Sequence, residues 1–584
     1  LAEGFELDVR QRFLGVHFFN PPRYMKLVEV IPGPDTLPIH VAGIAEFVSA
    51  RLGKGVVTCR DTPNFIANRL GVFAIADAVH RMAESALTVE EVDAVTGVLL
   101  GRPRSATLRL CDLIGLDTLL HVAATSQHGL APHDGRERFA PPKSVQALVD
   151  GGRLGAKTSA GFYRKSADGL EVIDLDILSY RPAQAIESGL PMRGPLGERL
   201  AAVWDATDTL GLFAREHLVA TLAYCARCAA EIAHGLEDVD RAMRWGFNWE
   251  AGPFEMIDLI GAQKICDAVV ATGGTPPPLL ESIAQQQPAR VYTEAGARIL
   301  APSGKGHRAP RTEAVPTDEE LLRRGEVRME AEGVRLVDLG DGSAVIELRG
   351  KLNTLPPDVL HSVLQMLEEE ASEVLVLTGA GGNFSAGADL KYVMQLLDAQ
   401  DWDGLEAYLQ LFQRTTTAVR YAALPVVAAA QGLALGGGCE LCLTAAARVV
   451  AGELRMGLVE AKVGLIPGAG GIKEMVRRFG TNVEALFVTL QQGLMSDNAM
   501  QAGQFGFLDA GDPIQLNAER LLQPAIHCAR ELIAQGWRSP DDTPLAVAGP
   551  EALARIEENL AAAFAAGDLL EHDVVVGRAL AWVL

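Results

Sequence analysis

Several features are missing from this 584-residue chain. No apolar run reaches the roughly 18 uncharged residues of a membrane span, so no spanning helix is expected. The N-terminal LAEGFELDVRQRF has neither an initiator Met nor the apolar core of a secretion signal. A fragment or a processed chain is expected, and RALAWVL closes the sequence without a stop signal, so truncation is expected there as well. Positive charge is scarce: 52 Lys and Arg against 74 Asp and Glu leave a net charge of −22. That argues against nucleic acid or an anionic membrane surface as main partner. The eight cysteines are scattered. Cys225/Cys228 and Cys439/Cys442 have C-x-x-C spacing, but neither has a second pair at zinc spacing or a cluster of His. Structural thiols, no metal and a reducing cytoplasm are expected. Also missing is the dinucleotide fingerprint G-x-G-x-x-G: Phe384 stands at the third glycine after Gly379-Ala380-Gly381, and Lys473 after Gly468-Ala469-Gly470.

What remains is an ordinary globular composition, 48% hydrophobic and 22% charged, with length for about three or four domains. Its most informative stretch runs from Pro425 to Gly471. An apolar run, PVVAAA, reads as a buried strand, and Gly436-Gly437-Gly438 then leads into a helical pattern opened by Cys439-Glu440. Glycines let the backbone approach a ligand, and the free amides of a helix start suit developing negative charge. Glu460 follows twenty residues after Glu440. Taken alone, three glycines are a turn and a Glu beside them a solvated helix start. An earlier unit of the same kind, VLVLTG followed by NFSAGADL (Asn383–Leu390), makes an α/β site the better reading. Two carboxylates and exposed amides suit acid/base work on a carbonyl compound.

NFSAGADLK, GLALGGGCEL and MGLVEAKVGLIPGAGG, in that order, resemble the crotonase (enoyl-CoA hydratase/isomerase) family over roughly Val327 to Gly511. The resemblance implies that the amides of Ala388 and Gly437 hold the thioester oxygen of an acyl-CoA, and that Glu440 and Glu460 are the hydratase carboxylates. Lys391 is a candidate CoA contact.

Near the N-terminus, FLGVHFFN and MKLVEVI read as two strands joined by Asn20-Pro21-Pro22, a helix as spanning Leu37 to Leu52, and a further strand as Gly55–Cys59. His17 and Glu29 are a core histidine and an edge glutamate by periodicity alone; as a dyad, the glutamate orients the ring for proton abstraction. HFFNPPRYMKLVEV resembles the end of the NAD domain of 3-hydroxyacyl-CoA dehydrogenases. The resemblance implies that His17 is the general base, supported by Glu29, that NAD is the cofactor, and that Asn68 of PNFIANR is the substrate-side asparagine. Asn64 stands where that pattern has Gly, and Asn tolerates left-handed backbone. Asn20 and Lys26 are weaker candidates for substrate contact. Without a G-x-G-x-x-G the cofactor-binding residues are unknown, and the chain is expected to begin inside its dinucleotide domain and to hydrate without efficient oxidation.

An internal repeat follows: Glu91-Val92-Asp93 and Asp112-Leu113-Ile114-Gly115 recur as Asp238-Val239-Asp240 and Asp258-Leu259-Ile260-Gly261, offset by 147 and then 146 residues. The expected architecture is α/β plus all-α: the tail of a Rossmann-type domain (1–63), duplicated helical dehydrogenase domains (64–168 and 210–300) separated by an irregular connector (169–209), a linker (301–326), a crotonase-like α/β domain (327–513) and a C-terminal helical segment (514–584). The expected function is a bifunctional β-oxidation enzyme acting on acyl-CoA substrates, with a thiolase and self-association as further partners. A Δ3,Δ2-enoyl-CoA isomerase needs only one carboxylate and is the first alternative. A non-catalytic acyl-CoA-binding or scaffold subunit is the second.

Overall fold

Alternation inside the apolar runs decides how the C-terminal half is layered. In Val374–Gly379, Leu375 and Leu377 join one core while Val374 and Val376 join another. Val426–Ala430 splits the same way, with Val427 and Ala429 on the second side. Successive strand residues face opposite ways, so a strand apolar throughout must be covered on both faces. The computed structural model, which describes residues 2–131, 135–293, 298–309, 316–369, 372–480, 482–541 and 543–584, shows that cover. The chain divides into two units, 1–49 with 54–312 and 50–53 with 313–584.

In the second unit, Glu326–Ala331, Val334–Asp338, Ser343–Leu348, Val374–Gly379, Val426–Ala430, Ala447–Ala451 and Ile514–Gln515 lie side by side in that order. The first three pair antiparallel, with the expected hairpin at Gly340-Asp341-Gly342, and the rest are parallel. Helix Leu522–Ala534 buries Leu522, Ala525, Ile526 and Ala529, a stripe at helical spacing, against the second face. The boundary expected at 513 is therefore corrected. Ile514 and Gln515 complete the sheet, and the helix after them closes its core, so 514–584 is no appended tail.

The first unit begins with Leu14–Phe18 antiparallel to Leu27–Pro32, which pairs in parallel with Gly55–Thr58. Helix Pro38–Leu52 matches the expected span within one residue. Helices Ala67–Glu84 and Thr209–Ile232 then build a largely apolar core. The duplication extends further than its sequence motifs. Each copy ends in a three-stranded sheet, Tyr163–Ser166 with Gly169–Asp174 and Ser179–Pro182 in the first, and Tyr292–Thr293 with Arg298–Leu300 and His307–Arg308 in the second. Equivalent acids tie each sheet down: Asp112 accepts from Phe162 N–H and Tyr163 N–H, Asp258 from Val291 N–H and Tyr292 N–H. Glu90 pairs with Arg181 and Glu237 with Arg308.

Two expectations are corrected here. The connector 169–209 is two strands of the first copy and helix Leu196–Asp205, and the linker 301–326 contains the last strand of the second copy and helix Asp318–Arg324. These strands are short and carry mixed polarity, which reads as loop. Residues 310–315 of that linker lie outside the described residues. All eight cysteines are free thiols, seven of them buried. Among the described residues, no helix is long and apolar enough to cross a membrane.

Candidate active sites

Two loops meet in the C-terminal unit. The first follows strand Val374–Gly379 and carries Ala388. Asn353 Nδ2 donates to Ala380 O and Asn383 O at 2.8 Å, while buried Ser385 donates its hydroxyl to Asn353 O (2.7 Å) and accepts from Gly387 N–H (3.0 Å). The second loop is Leu435-Gly436, leading into helix Gly437–Thr444. Gly387 has φ +87°, and a methyl group there would stand 2.5 Å from Leu435 O and 2.8 Å from Gly437 N. Only a glycine lets the loops approach this closely. Gly437 is the first helical residue, so its N–H has no intrahelical acceptor. Ala388 N–H donates to no group among the described residues. The geometry brings these two amides together as a pair of free donors.

Glu440 lies in the first turn of the same helix, and its Oε1 accepts from Ala469 N–H and Gly471 N–H, each at 2.8 Å. Glu460 opens the single turn Glu460–Val463. Its Oε1 is 3.3 Å from where a methyl on Gly436 would stand, and its Oε2 is buried without a hydrogen-bond partner. Burial pushes the Glu440 carboxyl above the usual carboxylate range. Burial and then the charge of Glu440 push Glu460 up as well. Like charges close enough to feel each other resist double ionisation, so the pair tends to keep one proton. The amides that hold Glu440 lie in Pro467-Gly468-Ala469-Gly470-Gly471, a Gly-rich run whose role as a carboxylate clamp the sequence reading missed.

In the N-terminal unit His17 and Glu29 are direct cross-strand partners. His17 Nδ1 is 2.8 Å from Glu29 Oε2, and Glu29 Oε1 accepts from Ile66 N–H (3.1 Å) and Ala67 N–H (2.8 Å) at the start of helix Ala67–Glu84. Glu29 is fully buried, so these bonds replace its lost water. With Nδ1 committed to Glu29, Nε2 is the ring nitrogen left to accept a proton. His17 and Asn68 line one cavity of about 520 Å³ with Asp61, Thr62, Pro63, Asn64, Phe65 and Thr125. Asn64 has φ +62°, and its side chain donates to Val122 O and Ser126 Oγ at 2.7 Å, contacts no glycine could make. The weaker candidates lie apart from these bonds: Asn20 and Lys391 are exposed, and Lys26 packs over the Trp245 ring at 4.9 Å.

Comparison with known proteins agrees with both units. The sequence model for the 3-hydroxyacyl-CoA dehydrogenase NAD binding domain matches residues 4–62, that for the dehydrogenase C-terminal domain matches 65–165 and 211–295, and that for enoyl-CoA hydratase/isomerase matches 340–539. A Bacillus subtilis protein named "Probable 3-hydroxyacyl-CoA dehydrogenase" is 35% identical over 601 residues, covering 100% of this chain and 76% of its own length. A Rickettsia prowazekii protein described as a fatty acid oxidation complex trifunctional enzyme is 28% identical, covering 85% of this chain and 66% of its own length. A Mycobacterium tuberculosis 3-hydroxybutyryl-CoA dehydrogenase is 39% identical over 154 residues, 26% of this chain and 52% of its own length.

The residues matched to the NAD binding domain carry the histidine dyad, and the G-x-G-x-x-G that would cradle the dinucleotide pyrophosphate is not among them. Similarity along the whole of this chain and three domains in one order lead to one assignment: the chain belongs to the family of fused proteins with a 3-hydroxyacyl-CoA dehydrogenase half followed by an enoyl-CoA hydratase half.

Proposed function

We propose that the C-terminal unit hydrates trans-2-enoyl-CoA to L-3-hydroxyacyl-CoA, and that the N-terminal unit carries the base for oxidation of that product to 3-ketoacyl-CoA. The observation that carries the reading is buried Glu440 and half-buried Glu460 beside the free amides of Ala388 and Gly437.

The thioester oxygen accepts from Ala388 N–H and Gly437 N–H. As water adds to C3, negative charge moves onto that oxygen, and each donor typically contributes about 3–4 kcal/mol to the charged state. Two amide bonds favour the ionised form of Glu440, so it is the base: it takes one proton of the water while the oxygen bonds to C3. Glu460, with an unpartnered oxygen and a neighbouring carboxylate, is the acid and gives its proton to C2. The water's two parts are then on C3 and C2, and the proton held by the pair has moved from Glu460 to Glu440. In the other unit His17 Nε2 receives the hydroxyl proton, steadied by Glu29, with Asn68 on the substrate side of the same cavity, and the hydride from C3 would pass to NAD when it is bound. A thiolase consuming the 3-ketoacyl product, self-association and a cytoplasmic location belong to the same reading.

The test is crotonyl-CoA mixed with the chain without NAD. Loss of the enoyl absorbance supports hydration. Acyl-CoA binding with no loss contradicts it.

A further inference from the structure

The loop that clamps Glu440 is itself clamped. Gly468 C=O and Ala469 N–H are the two ends of one peptide group. The N–H end donates to Glu440 Oε1 at 2.8 Å, and the C=O end accepts from Gln413 Nε2 at 2.8 Å. The next carbonyl, Ala469 O, accepts from the Thr416 hydroxyl at 2.6 Å. Gln413 and Thr416 are three residues apart on helix Trp402–Arg420 and so share a face. Thr416 is 2% exposed. Its hydroxyl also lies 3.2 Å from Phe412 O and 3.1 Å from Gln413 O in its own helix. A hydroxyl has one proton and carbonyls have none to give, so the shortest contact, to Ala469, takes it. A buried threonine ordinarily satisfies its hydroxyl on its own helix. Here the proton leaves the helix for the loop.

We infer that Thr416 and Gln413 are positioning residues of the hydratase site, fixing the Gly468–Gly471 loop so that its amides hold Glu440. A hydrogen bond at a peptide carbonyl polarises the N–H at its other end, so Gln413 acts on Glu440 through a single peptide group. Thr416 holds the following peptide, between the two amides that Glu440 accepts. Loosening either anchor weakens bonds that favour the carboxylate over the acid, and the Glu440 carboxyl moves further up. The titratable groups whose charge couples to Glu440 are Glu460 across the pocket and Cys439 on its own helix, and neither is altered by changes at 413 or 416. The effect on turnover rests on the hydratase reading; the effect on the carboxyl does not.

The experiment follows the Glu440 carboxyl by carbon-13 NMR in the full chain labelled at Glu, with Glu440→Gln as the assignment control. Thr416→Val, Thr416→Ser and Gln413→Ala are titrated beside the wild type, and kcat and KM for crotonyl-CoA are measured across the same pH range. Thr416→Val and Gln413→Ala should each raise the titration midpoint by roughly half a unit or more. They should lower kcat about tenfold with KM nearly unchanged. Thr416→Ser should restore both. Wild-type titration in both Thr416→Val and Gln413→Ala overturns the inference. Gln413 is exposed, so its variant carries the test alone if Thr416→Val does not fold. A wild-type chain that hydrates nothing removes the hydratase reading, while the titration still decides this one.

Discussion

Asp93 and Asp240, 147 residues apart, hold equivalent tyrosines: Tyr163 Oη donates to Asp93 Oδ2 at 3.0 Å and Tyr292 Oη to Asp240 Oδ2 at 2.5 Å. Burial pushes the Asp93 carboxyl up to about 6 and raises that of Asp240 well above the carboxylate range. Each phenol therefore supplies a bond that a dry carboxylate needs. Tyr163→Phe and Tyr292→Phe should each destabilise the first unit by about 1–3 kcal/mol, the scale of one hydrogen bond lost from a poorly hydrated carboxylate; Asp93 Oδ2 keeps Arg109 N–H and should give the smaller loss. Denaturant unfolding of each variant checks this, and wild-type stability in both would remove the tyrosines from the duplicated framework.

A second buried network gives the first unit a pH response. His217 Nδ1 is 2.8 Å from Asp77 Oδ2, and Arg102 Nη1 is 2.8 Å from His217 Nε2. Arginine only donates, so Nε2 accepts and the neutral ring donates from Nδ1 to Asp77. Burial, then the charge of Arg102, hold the His217 pKa down at about 4. The unfolded imidazole titrates near 6.5, so as pH falls the unfolded chain takes up this proton first. The contribution of His217 is complete above about pH 6.5 and is lost towards pH 4, reaching about 3 kcal/mol. His217→Gln keeps a donor and an acceptor without the titration. Its unfolding free energy should lack this part of the slope between pH 4 and 6.5, and an unchanged slope would contradict the assignment.

Gly387→Ala tests the paired amides. Its methyl would need the space within 2.8 Å of Gly437 N at a backbone angle of +87°. The two donors should move apart, and kcat for hydration should fall by roughly 10²–10³, the scale of losing one such donor. Stopped-flow hydration together with thermal unfolding separates this from a folding defect: a well-folded variant at wild-type rate contradicts the two-donor arrangement.

Where local pattern decided structure, the sequence was readable. VLVLTG became strand Val374–Gly379 residue for residue, because an apolar run between turn signals has one economical use in a doubly covered sheet. Periodicity alone makes His17 and Glu29 a core histidine and an edge glutamate; the dyad is legible through the resemblance of HFFNPPRYMKLVEV, and the strand register sets the two residues opposite each other. The parts that escaped depend on distant partners. Tyr163–Ser166 falls in the expected helical domain and Ser179–Pro182 in the expected irregular connector; both are strands of one small sheet, whose first strand Asp112, on a helix some fifty residues earlier, ties down through the Phe162 and Tyr163 amides. Ile514–Gln515 is a strand of two residues, too short for any periodicity, and its place follows from the open edge of Ala447–Ala451. The clamp on Glu440 was hidden for another reason: its donors are backbone amides, which every residue has.

The most direct test of the central claim is the hydration rate of crotonyl-CoA by wild type, Glu440→Gln, Glu460→Gln and the double variant. If the two carboxyls share one acid/base task, each single change should slow hydration by at least about 10²-fold, and the double change should cost little more than the worse single one. A wild-type rate in either single variant would contradict the account.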